Sequence, residues 1–417
     1  MALTQEQTDI IKATVPVIKE HGNAVTAIFY KNLLTAHPEL NAIFNTPNQV
    51  NGHQPRALAG AVFAYAANID NLAALGGAVE LICHKHASLY VQPEHYPIVG
   101  KFLLGAMGEV LGDAFTPAIQ DAWAAAYGQL ADIMIGREAA LYQAAEGWTD
   151  FREFRIARKI PESSEITSFY LEPVDGKALP LFLPGQYISV QILVPELGHP
   201  QVRQYSLSDK PSSQFYRISV KREAGLSGEG DAKAHPGYVS NLLHDTKQVG
   251  DTVKVSHPFG DFFLSDAERQ SSSPIVLLAA GVGLTPLTSI LNTLLETPAA
   301  QTQRQISFVH GARTSAARAF RPQIRELASN LPNLHATFFT SHPAPEDKQG
   351  EDYDFAGRLD LSKLDPKSDL FLDDASAQYY VCGPTPFMLD VKAKLTAEGV
   401  SADRIKMELF GTGGVPV

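Results

Sequence analysis

At 417 residues the chain exceeds one ordinary hydrophobic core and implies two or three domains, and its 45% hydrophobic and 19% charged residues exclude a disordered chain. A formal net charge of −11 argues against a nucleic-acid partner, because little on such a surface would collect phosphates. No apolar run reaches the roughly 18 residues needed to cross a bilayer, so stable membrane insertion is not expected.

The start, Met1-Ala2-Leu3-Thr4-Gln5-Glu6, lacks the basic and apolar parts of a secretion signal. The two cysteines, Cys83 and Cys382, lie in different expected domains and form no disulfide framework, so a cytoplasmic protein is expected. Residues 1–147 read as all helix. Thr4-Gln5-Glu6-Gln7 is a capping-box start. Apolar periodicity follows through residues 10–18, 25–34, 58–69, 72–90, 96–111 and 118–142, with breaks at Pro38, residues 48–55, Pro93 and Thr116-Pro117. Six or seven helices in this length make a bundle or a globin-like sandwich.

Two polar residues stand where this pattern asks for hydrophobes. Leu75, Val79, Ile82, His86 and Leu89 share one stripe, and so do Trp123, Tyr127, Leu130, Met134, Glu138 and Leu141. A buried imidazole needs a hydrogen bond or a metal, and a buried carboxylate needs a partner. Either the two form a structural pair, or Glu138 frays into water, or Glu138 orients an imidazole bound to a metal. His84 falls on the polar side beside Glu80 and reads as a bystander.

From residue 150 to about 266, short segments rich in β-branched and aromatic residues (154–159, 166–172, 187–193, 203–208, 216–221 and 252–256) alternate with turns, which predicts a small antiparallel barrel or sandwich. The Gly-rich stretch 225–236 reads as a mobile loop. Residues 273–417 alternate strand and helix. Strands are predicted at 274–280, 306–310, 336–340 and 379–382, and helices at 287–295, 318–329 and 386–398, the pattern of a doubly wound α/β domain.

In that last domain a strand runs into Gly281-Val282-Gly283-Leu284-Thr285-Pro286 and then a helix, offering amides and a positive helix end to a pyrophosphate. Cys382-Gly383-Pro384 ends a later strand, where a small side chain can approach a nicotinamide. In the barrel, Arg203-Gln204-Tyr205-Ser206-Leu207 places on one strand a cation for pyrophosphate, a ring for stacking and a hydroxyl, which suits a flavin dinucleotide. Tyr187, after Pro184-Gly185-Gln186, adds a second aromatic, and Gly237-Tyr238-Val239-Ser240-Asn241 a second helix end. Arg313 either meets a 2′-phosphate or is a surface charge.

In this order, Pro-Gly-Gln-Tyr, Arg-Gln-Tyr-Ser-Leu, Gly-Tyr-Val-Ser-Asn, Gly-Val-Gly-Leu-Thr-Pro and Tyr-Val-Cys-Gly-Pro resemble the ferredoxin–NADP⁺ reductase-like flavin reductases. Preceded by a helical domain with Lys85-His86-Ala87-Ser88, residues 3–410 resemble the flavohaemoglobins. The resemblance implies a globin domain holding haem b, a barrel holding FAD and an α/β domain taking NADH or NADPH. It makes His86 the proximal iron ligand, Tyr96 and Glu138 its hydrogen-bonding partners, and Tyr30 the distal tyrosine that hydrogen-bonds bound oxygen. Gln54 and Leu58 match the distal pocket, better than the rival His53. Lys85 and Glu408 match charges between haem and flavin. Tyr187, Arg203, Gln204, Tyr205 and Ser206, with Val239 and Ser240, match the FAD set. Gly281, Val282, Gly283, Leu284, Thr285, Pro286, Cys382 and Gly383 match the nicotinamide-dinucleotide set, and Phe410, with Gly411, the flavin face.

Two departures stand out. Thr412-Gly413-Gly414 replaces the family's usual proline after Phe410-Gly411, and the 225–236 loop is longer than in some members. The implied activity is oxidation of NO with O₂ to nitrate, by a monomer acting on small molecules. A sensor of O₂ or NO, and a general reductase of quinones, ferric iron or hydroperoxides, are the alternatives.

Overall fold

The computed structural model describes residues 3–44, 53–225, 236–296 and 304–410. Helix α1 (Gln5–Ala36) opens on the predicted capping box, with Gln7 N–H donating to Thr4 Oγ1 at 3.1 Å and Thr4 N–H to Gln7 Oε1 at 3.0 Å. It runs unbroken where periodicity predicts two helices. Its buried face carries Ile11, Ile18, Val25, Phe29 and Leu33, and the apparent gap contains buried Gly22. A Cβ there would stand 3.4 Å from that of Ala59, so the polar-looking gap is a close helix crossing.

Helix α2 (His53–Ala67) starts ahead of Pro55 rather than after it, because a proline in the first turn gives up an amide that has no partner there anyway. The predicted helix 72–90 is divided into a 3₁₀ turn (Leu72–Leu75) and α3 (Gly76–Ser88) at Gly76-Gly77. Helices α4 (His95–Leu111) and α5 (Pro117–Ala144) follow. Among the described residues this makes five α-helices with short 3₁₀ turns.

Strands β1 (Arg152–Pro161), β2 (Ile166–Pro173), β3 (Tyr187–Val194), β4 (His199–Ser206), β5 (Tyr216–Lys221) and β6 (Thr252–Val255) form an antiparallel sheet in the order β4-β3-β6-β1-β2-β5. Leu207, just past β4, bridges Ile218 of β5 and brings the two edges together as a barrel. Its core includes Phe154, Ile156, Phe169, Leu171, Ile188 and Val190. Strand β4 begins before the predicted 203, because its hairpin with β3 organises the unpatterned His199-Pro200-Gln201. The short helix α6 (Tyr238–Asn241) lies where the Gly-Tyr-Val-Ser-Asn motif predicts one. Most of the 225–236 loop, and all of 411–417, lies outside the described residues.

After α7 (Asp266–Gln270), a parallel sheet is built from β7 (Ile275–Ala280), β8 (Ile306–Ala312), β9 (Leu334–Thr340), β10 (Phe355–Ala356), β11 (Gln378–Cys382) and β12 (Ile405–Glu408), in the order β10-β9-β8-β7-β11-β12. Helices α8 (Leu284–Leu294), α9 (Arg321–Asn330) and α10 (Thr385–Ala397) connect its strands. Strand β12 carries too little apolar character to be read locally. Arg318, predicted to open a helix, precedes α9 and is buried, its guanidinium donating to Phe339 O and Thr340 Oγ1, both at 2.7 Å.

Candidate functional site

The two misplaced polar residues meet. Nδ1 of His86, on α3, lies 2.9 Å from Oε1 of Glu138, on α5. Tyr96, in the first turn of α4, donates its hydroxyl to the same oxygen at 2.7 Å and stands 3.2 Å from Nδ1. Glu138 is buried, so these bonds are what make its position tolerable. Burial, reinforced by Glu138, pushes the Tyr96 hydroxyl far up, which keeps it a donor. With Nδ1 committed, Nε2 has no hydrogen bond to any described residue, and the side chain is 34% exposed. Val79 and Ile82, on the same stripe, are only half-buried. That face of α3 is only half-buried, and an imidazole with one ring nitrogen unbonded among the described residues beside apolar walls fits a haem iron.

Across the helical domain, Tyr30 on α1 is buried against Phe29 and Phe44, with ring centroids 4.7 and 5.5 Å away. Burial pushes its hydroxyl well above the usual phenol range, while a hydrogen bond with Gln54 of α2 opposes that shift. Leu58, one turn beyond Gln54, packs on the same core. The three distal candidates are therefore together. The side chain of His53, their rival, lies outside the described residues.

On the flavin side, register pairs Tyr187 with Ser206, Ser189 with Gln204 and Val190 with Arg203. Alternation then turns Tyr187, Gln204 and Ser206 to one side of the sheet, and Arg203 and Tyr205 to the other. The motif shares a strand but not a face, so a long ligand along this edge strand is what can meet all of it. Burial lowers the Arg203 guanidinium's affinity for its proton and raises Tyr205's. The Tyr187 hydroxyl is buried near Ser88 without a hydrogen bond of ordinary length. A buried hydroxyl left incomplete, with a cation and a second ring along the neighbouring strand, fits a long ligand such as FAD. Ser240 Oγ turns back to Gly237 O at 3.4 Å, and Val239 is buried. Phe410 is 40% exposed. Gly411 lies outside the described residues.

Sequence reasoning missed how α3 is shared. Its apolar stripe, with His86, is only half-buried, while Cys83, His84, Ala87 and Ser88 form its buried face. His84 is no bystander. Its Nδ1 accepts the Gly260 amide at 3.0 Å, and its Nε2 lies 3.1 Å from Glu80 Oε1. Burial holds this imidazole below its usual range, in keeping with a neutral ring that accepts at one nitrogen and donates at the other. Ser88 Oγ accepts from Gln204 Nε2 at 3.3 Å, and the Tyr90 hydroxyl accepts the His257 amide at 2.9 Å. Lys85 and Glu408 feel each other's charge. Burial and Asp261 push the Glu408 carboxyl up and Lys85 pulls it down, while burial lowers Lys85. Asp261 is the missed third member.

In the α/β domain, β7 runs into Gly281, whose φ of +57° leaves open space where a Cβ would stand. One 3₁₀ turn, Gly281–Gly283, leads into α8, whose start has no side-chain cap. Val282 O is taken by Thr285 Oγ1 at 3.0 Å, and Leu284 and Pro286 are buried. A Cβ on Gly283 would stand 2.2 Å from the Cys382 carbonyl oxygen, so the loop lies directly on Cys382-Gly383. Both motifs thus meet at the carboxyl ends of β7 and β11, which fits a dinucleotide. We expect Gly283→Ala to shift this loop, raising the KM for NADH about 10- to 100-fold with haem content unchanged; an unchanged KM would disprove the placement. Arg313 is paired with Glu165 of the barrel domain at 2.8 Å.

Comparison with known proteins bears on each part. The globin family model matches residues 16–134, and the oxidoreductase NAD-binding domain model residues 277–393. The flavohemoprotein of Rhizobium meliloti is 50% identical over 98% of both chains, and that of Bacillus subtilis 42% identical over 98% of both. Among solved structures, a flavohemoglobin from Malassezia yamatoensis with bound FAD and heme matches 99% of this chain and all of its own, with 29% identity and a TM-score of 0.83. The flavohem-like FAD/NAD-binding domain of a nitric oxide dioxygenase from Vibrio cholerae matches 63% of this chain and 99% of its own, with 34% identity and a TM-score of 0.53.

Proposed function

The chain belongs to the flavohaemoglobin family, and from that premise we propose that it is a nitric oxide dioxygenase, oxidising NO with O₂ to nitrate with electrons from NADH or NADPH. Its cofactors, haem b, FAD and the nicotinamide dinucleotide, supply hydride acceptance, one-electron transfer and oxygen chemistry when bound. Each NO converted to nitrate with one O₂ takes one electron, so one dinucleotide serves two. The proposed domains are residues 1–147, 150–266 and 273–417, working as a cytoplasmic monomer. Among the described residues no helix is long and apolar enough to cross a membrane.

The side chains divide the work. His86 holds the iron through Nε2, while Glu138 and Tyr96 fix its tautomer and raise its basicity from Nδ1. Tyr30, braced by Gln54, donates its hydroxyl to the polar diatomic in the distal pocket. Arg203, Tyr205, Ser206, Tyr187, Val239 and Ser240 hold the flavin, with Phe410 on its face. The 281–286 loop with Cys382-Gly383 presents the nicotinamide, and Lys85 with Glu408 sets the charge between the two redox groups.

The observation that carries this reading is the buried carboxylate on His86 Nδ1. An anionic partner strengthens the imidazole as a donor and suits oxygen activation more than reversible carriage. Absorbance spectra of the purified protein before and after NADH, air and NO test it. We expect haem and flavin bands, flavin bleaching by NADH, and nitrate formed in step with NO consumed. Stoichiometric NO binding without turnover would mark a sensor, and NADH oxidation surviving carbon monoxide a general reductase.

A further inference from the structure

His84 stands between two sets of contacts, one running to the backbone paired with Tyr187 and the other to Arg137, the sequence neighbour of Glu138. Toward the flavin, its Nδ1 accepts the amide of Gly260, whose φ of +124° belongs to glycine and whose missing Cβ would sit 3.0 Å from Tyr187 Cε1. The preceding residue, Phe259, exchanges both backbone hydrogen bonds with Tyr187, at 2.8 and 2.9 Å. His84 thus ties α3 of the helical domain to the barrel-domain backbone at Gly260, next to the strand that carries Tyr187. Toward the iron, its Nε2 meets Glu80, which Arg137 grips with two bonds of 2.6 and 2.5 Å. Arg137 is the neighbour in sequence of Glu138, the residue that fixes His86.

From this arrangement we propose that His84 is a positioning residue for electron transfer between flavin and haem, a tether that fixes the spacing of the two domains at the point where both cofactors are held. The inference rests on the proposed cofactors being bound. Electron transfer falls steeply with distance, and a buried amide that loses its acceptor favours any arrangement in which water can reach it. The tether therefore acts on the electron-transfer step and leaves hydride transfer to the flavin alone. It requires one group that accepts from Gly260 and donates to Glu80, which a glutamine can also provide but a leucine cannot.

The test compares His84→Leu with His84→Gln in the full-length holoprotein. Rapid mixing with NADH reads flavin and haem reduction separately, per bound haem, and amide hydrogen exchange reads residues 257–263. For His84→Leu we expect haem reduction to slow, and exchange to quicken, about ten-fold, with flavin reduction unchanged. For His84→Gln we expect both within about two-fold of the parent. Haem reduction at the parent rate in the leucine variant overturns the proposal. So does a glutamine variant as slow as leucine, or an equal slowing of flavin reduction, which would mean a general loss of structure. If the haem-reduction rates separate as stated but the parent forms no nitrate, the dioxygenase reading fails and the tether stands.

Discussion

Replacing His86 with alanine is expected to give a protein that retains FAD and oxidises NADH with ferricyanide within about two-fold of the parent rate, yet carries no stable haem and makes no nitrate. The retention follows from distance, since the dinucleotide loop and the Tyr187–Ser206 pairing make no use of the imidazole. The loss follows from chemistry. His86 offers the free ring nitrogen on this face, and no cluster of three or more histidine, cysteine or acidic side chains among the described residues offers an alternative metal site. Soret absorbance per protein measures it, and added imidazole should restore the band by filling the vacated space. A variant with full haem content would disprove the ligand assignment.

Tyr30→Phe is expected to speed O₂ dissociation about 10- to 150-fold, the range set by losing a hydrogen bond of roughly 1.5–3 kcal/mol to a polarised acceptor. Turnover at low O₂ should fall, while haem content and flavin reduction stay put, because the phenyl ring keeps the contacts with Phe29 and Phe44. Gln54 loses its partner in this variant, so Gln54→Leu is the companion measurement. If the glutamine is only a brace, its removal should change O₂ dissociation much less than removal of the tyrosine. Equal effects would instead make Gln54 the donor, and an unchanged rate in Tyr30→Phe would remove the tyrosine from the mechanism.

Legibility in the sequence varied with how local the signal was. Glu138 was readable because a 28-residue helix repeats its apolar face often enough to expose one misplaced carboxylate. The glycines at 281 and 283 and the Cys382-Gly383 turn were readable because a strand, a tight turn and a helix are contiguous in the chain. His84 was not readable. Its partner Gly260 is 176 residues away, and the stripe that made His86 conspicuous consigned its neighbour to the polar side. Helix α1 failed in the opposite sense, since the polar gap around Gly22 looks like a break until α2 is seen crossing it.

What the sequence determined alone was the parts list: a helical domain with a histidine and a glutamate on apolar faces, a barrel with a flavin-type strand, and a doubly wound domain with a dinucleotide turn. These are properties of short windows, governed by periodicity and turn chemistry. Only the tertiary structure decided which groups share an atom-to-atom contact, namely Glu138 and Tyr96 on one imidazole nitrogen, Gln54 on Tyr30, and Gly260 on His84. Those pairings close loops of 10 to 176 residues, and no local pattern encodes the partner at the other end.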